Sequence, residues 1–280
     1  MLHADIEMAR GWQAELALDF ERRQDRTVLA GRRQNGPLVV QKALYPEGDA
    51  VCHAIVLHPP AGIAGGDQLR IEARARAGAH ALLTTPGAGK WYRSGGPWAE
   101  QRVSLDVEDE ASLEWLPQET IVFDGALAHW QTEVRLAPRA RFLGWEILCL
   151  GRTGSGERFT RGQCRLATGV RADQRLLWRE RGRIEGGSRL LASQAGLNGQ
   201  PVCGTLLASA PEIPAELLSA CRELQPREGR GAVTRLPRLL VARYLGASSE
   251  AARHYFAALR RVIRPALLGL EPVDPRIWST

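Results

Sequence analysis

The chain has 280 residues, of which 44% are hydrophobic and 24% charged, with a formal net charge of +6. That is enough apolar material for a sizeable core, and it excludes global disorder. It has no apolar run near the ~20 residues that span a bilayer and no basic-then-apolar leader. Its five cysteines are odd in number and far apart, so reduced thiols in a cytoplasmic protein are expected.

In chain order the dominant signal has period two. Residues 69–77 alternate apolar and charged side chains without a break, and 103–107 and 132–136 repeat the pattern, which predicts half-exposed strands. Further strands are expected over 51–57, 80–85, 142–150, 163–170, 176–184, 202–208 and 239–245. Turn signals such as Asn35-Gly36-Pro37, Pro59-Pro60, Gly65-Gly66, Gly95-Gly96-Pro97 and Asn198-Gly199 separate them.

Two segments switch to helical spacing. Over 214–224, Pro214 stands at the first helical position and Leu217, Cys221 and Leu224 share a face. Over 249–264, Ser249 is the expected cap, and Tyr255, Leu259, Val262 and Ala266 form the stripe. Pro265 is expected to limit or kink this helix. Beside the stripe lie Arg253, Arg260, Arg261 and Arg264, a candidate docking face, with a buried core helix as the alternative. The reading is a single, mainly β domain of many short strands with two helices toward the C-terminus.

The segment from Thr84 to Lys90 imitates a phosphate-binding loop. Gly89-Lys90 is followed by Trp91 where a Mg²⁺-binding hydroxyl belongs, and Thr84 stands where the first Gly belongs, which argues against nucleotide binding. No nucleophile-elbow motif occurs, and Ser155 in Gly154-Ser155-Gly156 reads as a turn residue. His53 and His58 near Cys52 make at most a loose group of metal ligands. Glu114, Glu119, Asp124, Glu146 and Glu180 stand in apolar surroundings. There a carboxylate is either matched by a partner or functional. Two of them on a β scaffold would suit a glycosidase, but spacing does not choose which two. The positive charge admits a nucleic-acid partner. Yet the 37 basic residues include only two lysines and are interleaved with acids, with no aromatic–basic cluster, so no nucleic acid is expected and an acidic protein partner comes next.

Three blocks carry a resemblance: His58-Pro-Pro-Ala-Gly-Ile-Ala-Gly-Gly-Asp67, Thr84-Thr-Pro-Gly-Ala-Gly-Lys-Trp-Tyr-Arg-Ser94, and Leu113-Glu-Trp-Leu-Pro-Gln-Glu-Thr120 running into Phe123-Asp-Gly-Ala126. Gly11-Trp12, the segment with Val39, Gln41, Lys42, Tyr45 and Pro46, Trp145-Glu146 through Arg152, and Pro275-Arg-Ile-Trp278 fit as well. In this order they resemble the urease accessory proteins of the UreD family, called UreH in some systems, over nearly the whole chain. The resemblance implies a helically wound β structure that is cytoplasmic and non-catalytic. Its expected partners are UreF, the GTPase UreG and the urease apoenzyme. It also implies a polar internal passage for a transient nickel ion, with no tightly bound cofactor and no membrane association. Carried onto this sequence, the passage-lining acids are Asp67, Glu146 and Glu180, with Thr84 and the turn from Gly87 to Gly89 shaping the wall. Gly89 replaces a hydroxyl present in some members. Glu119, Asp124 and His58 are further candidates.

Overall fold

A computed structural model describes residues 11–279; the first ten residues, where no leader is read, lie outside the described residues. Two sheets face each other. The first runs, from edge to edge, β14 (Arg175–Glu185), β13 (Gln163–Ala172), β11 (Leu127–Leu136), β8 (Ala99–Val107), β5 (Gln68–Ala75), β1 (Gln13–Arg23) and β2 (Arg26–Asn35). The second runs β16 (Arg230–Leu236), β17 (Leu239–Gly246), β15 (Val202–Ser209), β12 (Arg141–Leu150), β9 (Ser112–Leu116), β6 (His80–Thr84), β4 (Val51–Leu57) and β3 (Val39–Leu44). Short strands β7 (Gly89–Trp91) and β10 (Thr120–Val122) pair with each other and branch from the second sheet, where β10 pairs with the end of β12. From β4 to β13 the chain alternates between the two large sheets, so each circuit stacks on the one before as a coil of a β-solenoid. The expected helically wound, mainly β fold is the one observed.

Period-two alternation builds this stack. Parallel pairing in register places Ile71, Val103, Thr132 and Thr168 in one row across the first sheet, and Ala73, Leu105, Val134 and Val170 in another. All of these point inward; the apolar ones form one core with Ala81, Leu83, Leu113 and Phe142 of the second sheet, and the two threonines are buried beside it. Burying such a row removes roughly 1.5–3 kcal/mol worth of apolar surface per large aliphatic side chain from water.

A second core lies on the outer face of the second sheet. Leu82, Leu116, Leu143, Trp145 and Ile147 pack under α2 (Ala215–Glu223) and α3 (Ser249–Leu268); a single-turn helix, α1 (Arg189–Ala192), sits beside β14. Trp145 stacks on Phe256 (6.2 Å between ring centres) and on Trp278 (5.5 Å). The cap of α3 is Ser248 instead of Ser249: the Ala251 N–H donates to its Oγ at 3.1 Å. Pro265 does not stop the helix, because it falls in the last turns, where it removes only one backbone bond before Gly269 closes the end. The apolar stripe differs from the expected one as well: Ala266 is exposed, while Phe256, Ile263 and Leu267 are buried.

The basic face of α3 is the main correction. Arg260 and Arg264 are fully buried against the second sheet, so they are not a docking surface. Glu114 of β9 explains their position. Its Oε2 accepts from Arg260 Nε (2.8 Å), and its Oε1 accepts from Arg264 Nε (3.0 Å) and lies 3.0 Å from His80 Nε2. Arg264 also pairs with Glu47 at 2.7 Å, and Glu47 with His53 at 2.5 Å. Burial alone would raise the Glu114 carboxyl; Arg260, His80 and Arg264 outweigh it and hold the group well below the usual carboxylate range. A carboxyl depressed in this way adds stability above its unfolded pKa and loses it as pH falls toward the folded value. Urea unfolding of Glu114→Gln is expected to show a loss of about 3–5 kcal/mol, because two arginines are left buried with too little negative charge. Asp106→Asn, which breaks the exposed pair with Arg135, is expected to lose under about 1 kcal/mol. The wild-type advantage over Glu114→Gln shrinks below about pH 4.5.

Candidate functional site

The interior of the solenoid is not filled throughout. A cavity of about 460 Å³ begins among exposed loop residues, Pro59 and Ala61 on one side and Pro86 and Gly87 on the other, and ends at Thr132 and Glu146. Ile71, Val103, Trp91, Trp115 and Trp130 form its apolar wall, and His58, Lys90, Gln101, Gln118 and Thr120 contribute polar groups. A second cavity of about 20 Å³, the size of a single water, shares Trp115, Thr132 and Glu146 and continues to Thr168 and Thr205. Glu146 therefore stands where the two meet.

Its position follows from β12. Alternation sends Leu143, Trp145, Ile147 and Cys149 outward under the helices, and Phe142 and Leu148 inward, so Glu146 points inward as well. Thr132 Oγ1 donates to Glu146 Oε1 at 2.5 Å, and Thr168 Oγ1 donates to Oε2 at 3.3 Å. No cationic side chain pairs with it among the described residues. Burial raises the Glu146 carboxyl, the two threonine hydroxyls counter it in part, and the nearby charge of Glu180 adds to the rise. Glu114 and Glu146 are thus opposites on neighbouring strands: one carboxylate is clamped by two arginines, the other is left with hydroxyls.

The other expected site residues divide into two groups. Gly87 and Gly89 line the mouth of the cavity. A Cβ built on Gly89 would meet only the Thr120 hydroxyl, at 4.0 Å, so a side chain fits there without a clash. His58 lines the same cavity, its Nε2 is buried without a hydrogen-bond partner, and burial lowers its pKa, which favours the neutral ring. Glu180, on β14, accepts a hydrogen bond from Arg243 Nη1 at 2.7 Å; the same nitrogen donates to Thr205, so this pair lies beside the small cavity.

The rest serve local structure. Asp67 is 2% exposed and closes the turn of its block by accepting from the backbone N–H groups of Ala64 (2.7 Å) and Trp12 (2.8 Å). Thr84 faces the helix layer: it donates to the Leu116 carbonyl (2.6 Å) and accepts from Trp278 Nε1 (2.9 Å). Glu119 pairs with Arg253 at 3.7 Å. Asp124 accepts from the backbone of Thr160 and Arg161 at 2.7 and 2.8 Å. Desolvation raises its carboxyl, but these N–H groups bring it down to about 2. The imitation phosphate loop runs from β6 into β7, so its glycines lead into a strand and not into a helix N-terminus.

Sequence reasoning did not single out Thr132, Thr168 or Thr205. The signal was present in register: Thr132 and Thr168 occupy inward positions of a row that begins with Ile71 and Val103, where a hydroxyl is out of pattern. Among the described residues, no group of three or more His, Cys, Asp and Glu side chains is arranged to hold a metal ion.

Fold and interior together define a β-solenoid scaffold with a cavity ending on a lone buried carboxylate. The family model described as "UreD urease accessory protein" matches residues 13–279. Proteins named urease accessory protein UreD are similar along almost their full lengths. That of Dechloromonas aromatica (strain RCB) is 56% identical over 98% of this chain and 96% of its own length. That of Azoarcus sp. (strain BH72) is 58% identical over 96% and 95%. That of Pseudomonas aeruginosa PAO1 is 50% identical over 99% and 98%. The chain belongs to the UreD family of urease accessory proteins.

Because the Glu146 carboxyl is raised, its ionisation costs stability as pH climbs from the ordinary carboxylate value through the folded one. Glu146→Gln cannot ionise. Thermal unfolding is expected to show the variant gaining on wild type as pH rises toward 8, with the difference closing below about pH 4.

Proposed function

We propose that this protein is a urease maturation factor that acts without catalysis of its own. With UreF and the GTPase UreG it forms a cytoplasmic complex on apo-urease, and its solenoid interior is a passage through which nickel travels to the urease active site. GTP hydrolysis belongs to UreG, and the nickel ion is cargo rather than a resident cofactor. No helix among the described residues is long and apolar enough to cross a membrane.

The observation that carries this reading is the unpaired carboxylate of Glu146 at the junction of the two cavities. A conduit must attract its ion without holding it. Thiolate and imidazole clusters bind nickel strongly, while isolated oxygen donors bind it weakly. Glu146 supplies one charge, and Thr132 and Thr168 hold its two oxygens in place; the nearest other carboxylate, Glu180, is already paired with Arg243. Gly87, Gly89 and neutral His58 line the approach, and Thr205 with the Glu180–Arg243 pair lies beyond. Asp67, which fixes the Trp12 and Ala64 backbone, supports the approach through the loop that carries His58.

The raised carboxyl also sets a pH dependence. A neutral Glu146 offers a passing cation no charge, so delivery fails on the acid side at a higher pH than an ordinary carboxylate would set. The test is co-expression of apo-urease and its accessory proteins with this chain, followed by nickel analysis and urease assay. Glu146→Gln is expected to reduce nickel per urease to roughly a tenth while the accessory complex still co-purifies. Gly89→Leu, which narrows the mouth without touching a carboxylate, is expected to lower it in the same direction. Full nickel content in both variants would refute the passage, and full nickel without this chain at all would refute the maturation role.

A further inference from the structure

The positive charge of the chain is not spread evenly. Residues 161–190 hold eight arginines and three acids, a surplus of five in a chain whose formal net charge is +6. The three acids are already engaged: Asp173 with Arg238 and Glu180 with Arg243, both at 2.7 Å, and Glu185 with Arg183. Arg171, Arg175, Arg179 and Arg181 have no carboxylate partner among the described residues. Elsewhere on the same sheet four arginines are matched, Arg74 with Glu108, Arg76 with Asp19, Arg102 with Glu100 and Arg135 with Asp106, whereas Arg33 and Arg70 stand apart on other strands without a carboxylate partner among the described residues. The unmatched arginines are nevertheless most concentrated on β13 and β14.

β14 is also the end of its sheet, paired only with β13. Its alternation places Arg179, Arg181 and Arg183 on one face, all exposed and about 7 Å apart. Two of the four exposed large hydrophobic residues among the described residues adjoin this edge: Leu176 on β14, 48% exposed, and Leu190 on α1, 41% exposed, where α1 packs against β14.

From this edge we infer that β14 is a docking surface for an acidic, extended segment of a partner protein. A strand carrying carboxylates at alternate positions has the same ~7 Å repeat as the arginine comb, so each charge meets its opposite while the backbone adds to the open edge. Leu176 and Leu190 offer the apolar contact that such a charged strip otherwise lacks. Charges along an edge also keep a strand from pairing with its own copies; a comb led by the unpaired Arg179 and Arg181 does that and selects the opposite charge at the same time. The surface lies on the first sheet's free edge and stands whether or not the interior carries nickel, so the two ideas fail separately.

The test titrates the full-length chain with a fluorescent peptide of alternating Glu and Val, read by anisotropy at about 50 and about 300 mM salt. Compared with it are R179E/R181E, the milder R179Q/R181Q, and R33E/R70E, which reverses two exposed arginines far across the same sheet. Expected are salt-sensitive binding by the wild type, roughly tenfold weaker binding by R179E/R181E, an intermediate loss for the glutamine pair and little change for R33E/R70E. Hydrogen exchange of the β14 amides is expected to slow when peptide is bound. Absence of wild-type binding, equal binding by all variants, or an equal loss in R33E/R70E would overturn the inference. Tighter capture of single-stranded DNA through Arg179 and Arg181 would also overturn it, by making the edge a nucleic-acid surface.

Discussion

Parallel strands stacked in register force every inward side chain to sit on the one from the coil before. Most of the architecture follows from that constraint. Where the stacked residues are apolar the row is a core; where two threonines replace aliphatic residues the row becomes a polar ledge. Thr132 and Thr168 are successive members of one row, and that is why both hydroxyls reach the single carboxylate that the facing sheet presents. A one-residue slip would turn every inward group to the outside, so the site and the fold share one register.

Counter-charge decides what a buried carboxylate becomes. Glu114 and Glu146 lie in neighbouring strands of one sheet, but they point to opposite faces. On the outer face α3 brings two arginines to Glu114, and the charged cluster with Glu47 fastens the helix to the sheet. On the inner face nothing cationic reaches Glu146, so the desolvation of its charge is offset only in part by hydroxyls. The first arrangement is structural because its charges are satisfied. The second leaves a buried carboxylate without a counter-charge among the described residues, which is what the proposed passage requires.

Much of the fold was legible from alternation alone. Strands β4, β5, β6, β11, β12, β13, β14, β15 and β17 fall where period-two runs or apolar stretches put them. The first two strands were not proposed: Arg26–Asn35 is mostly polar, and β1 was recognisable only through Leu16, Leu18 and Phe20 at alternate positions. Helix α3 was placed correctly but its charge was misread. Helical spacing shows which residues share a face; it does not show that a glutamate 146 positions away in the chain waits beneath Arg260. In the same way, Glu146, His58, Gly87 and Gly89 gather around one cavity, whereas Thr84, Glu119 and Asp124, drawn from the same motifs, bond elsewhere. A motif records what lies close in sequence, and alternation turns every second residue of it away.

The central claim is that nickel passes through the interior by way of Glu146, held there weakly and by oxygen alone. Anomalous diffraction at the nickel edge, from crystals of the full-length protein soaked in nickel, examines it most directly. The account predicts a partly occupied peak against the Glu146 carboxylate, bordered by Thr132 and Thr168, that disappears in Glu146→Gln. An interior free of nickel, with the ion found only at surface histidines of protein that still matures urease, would contradict it.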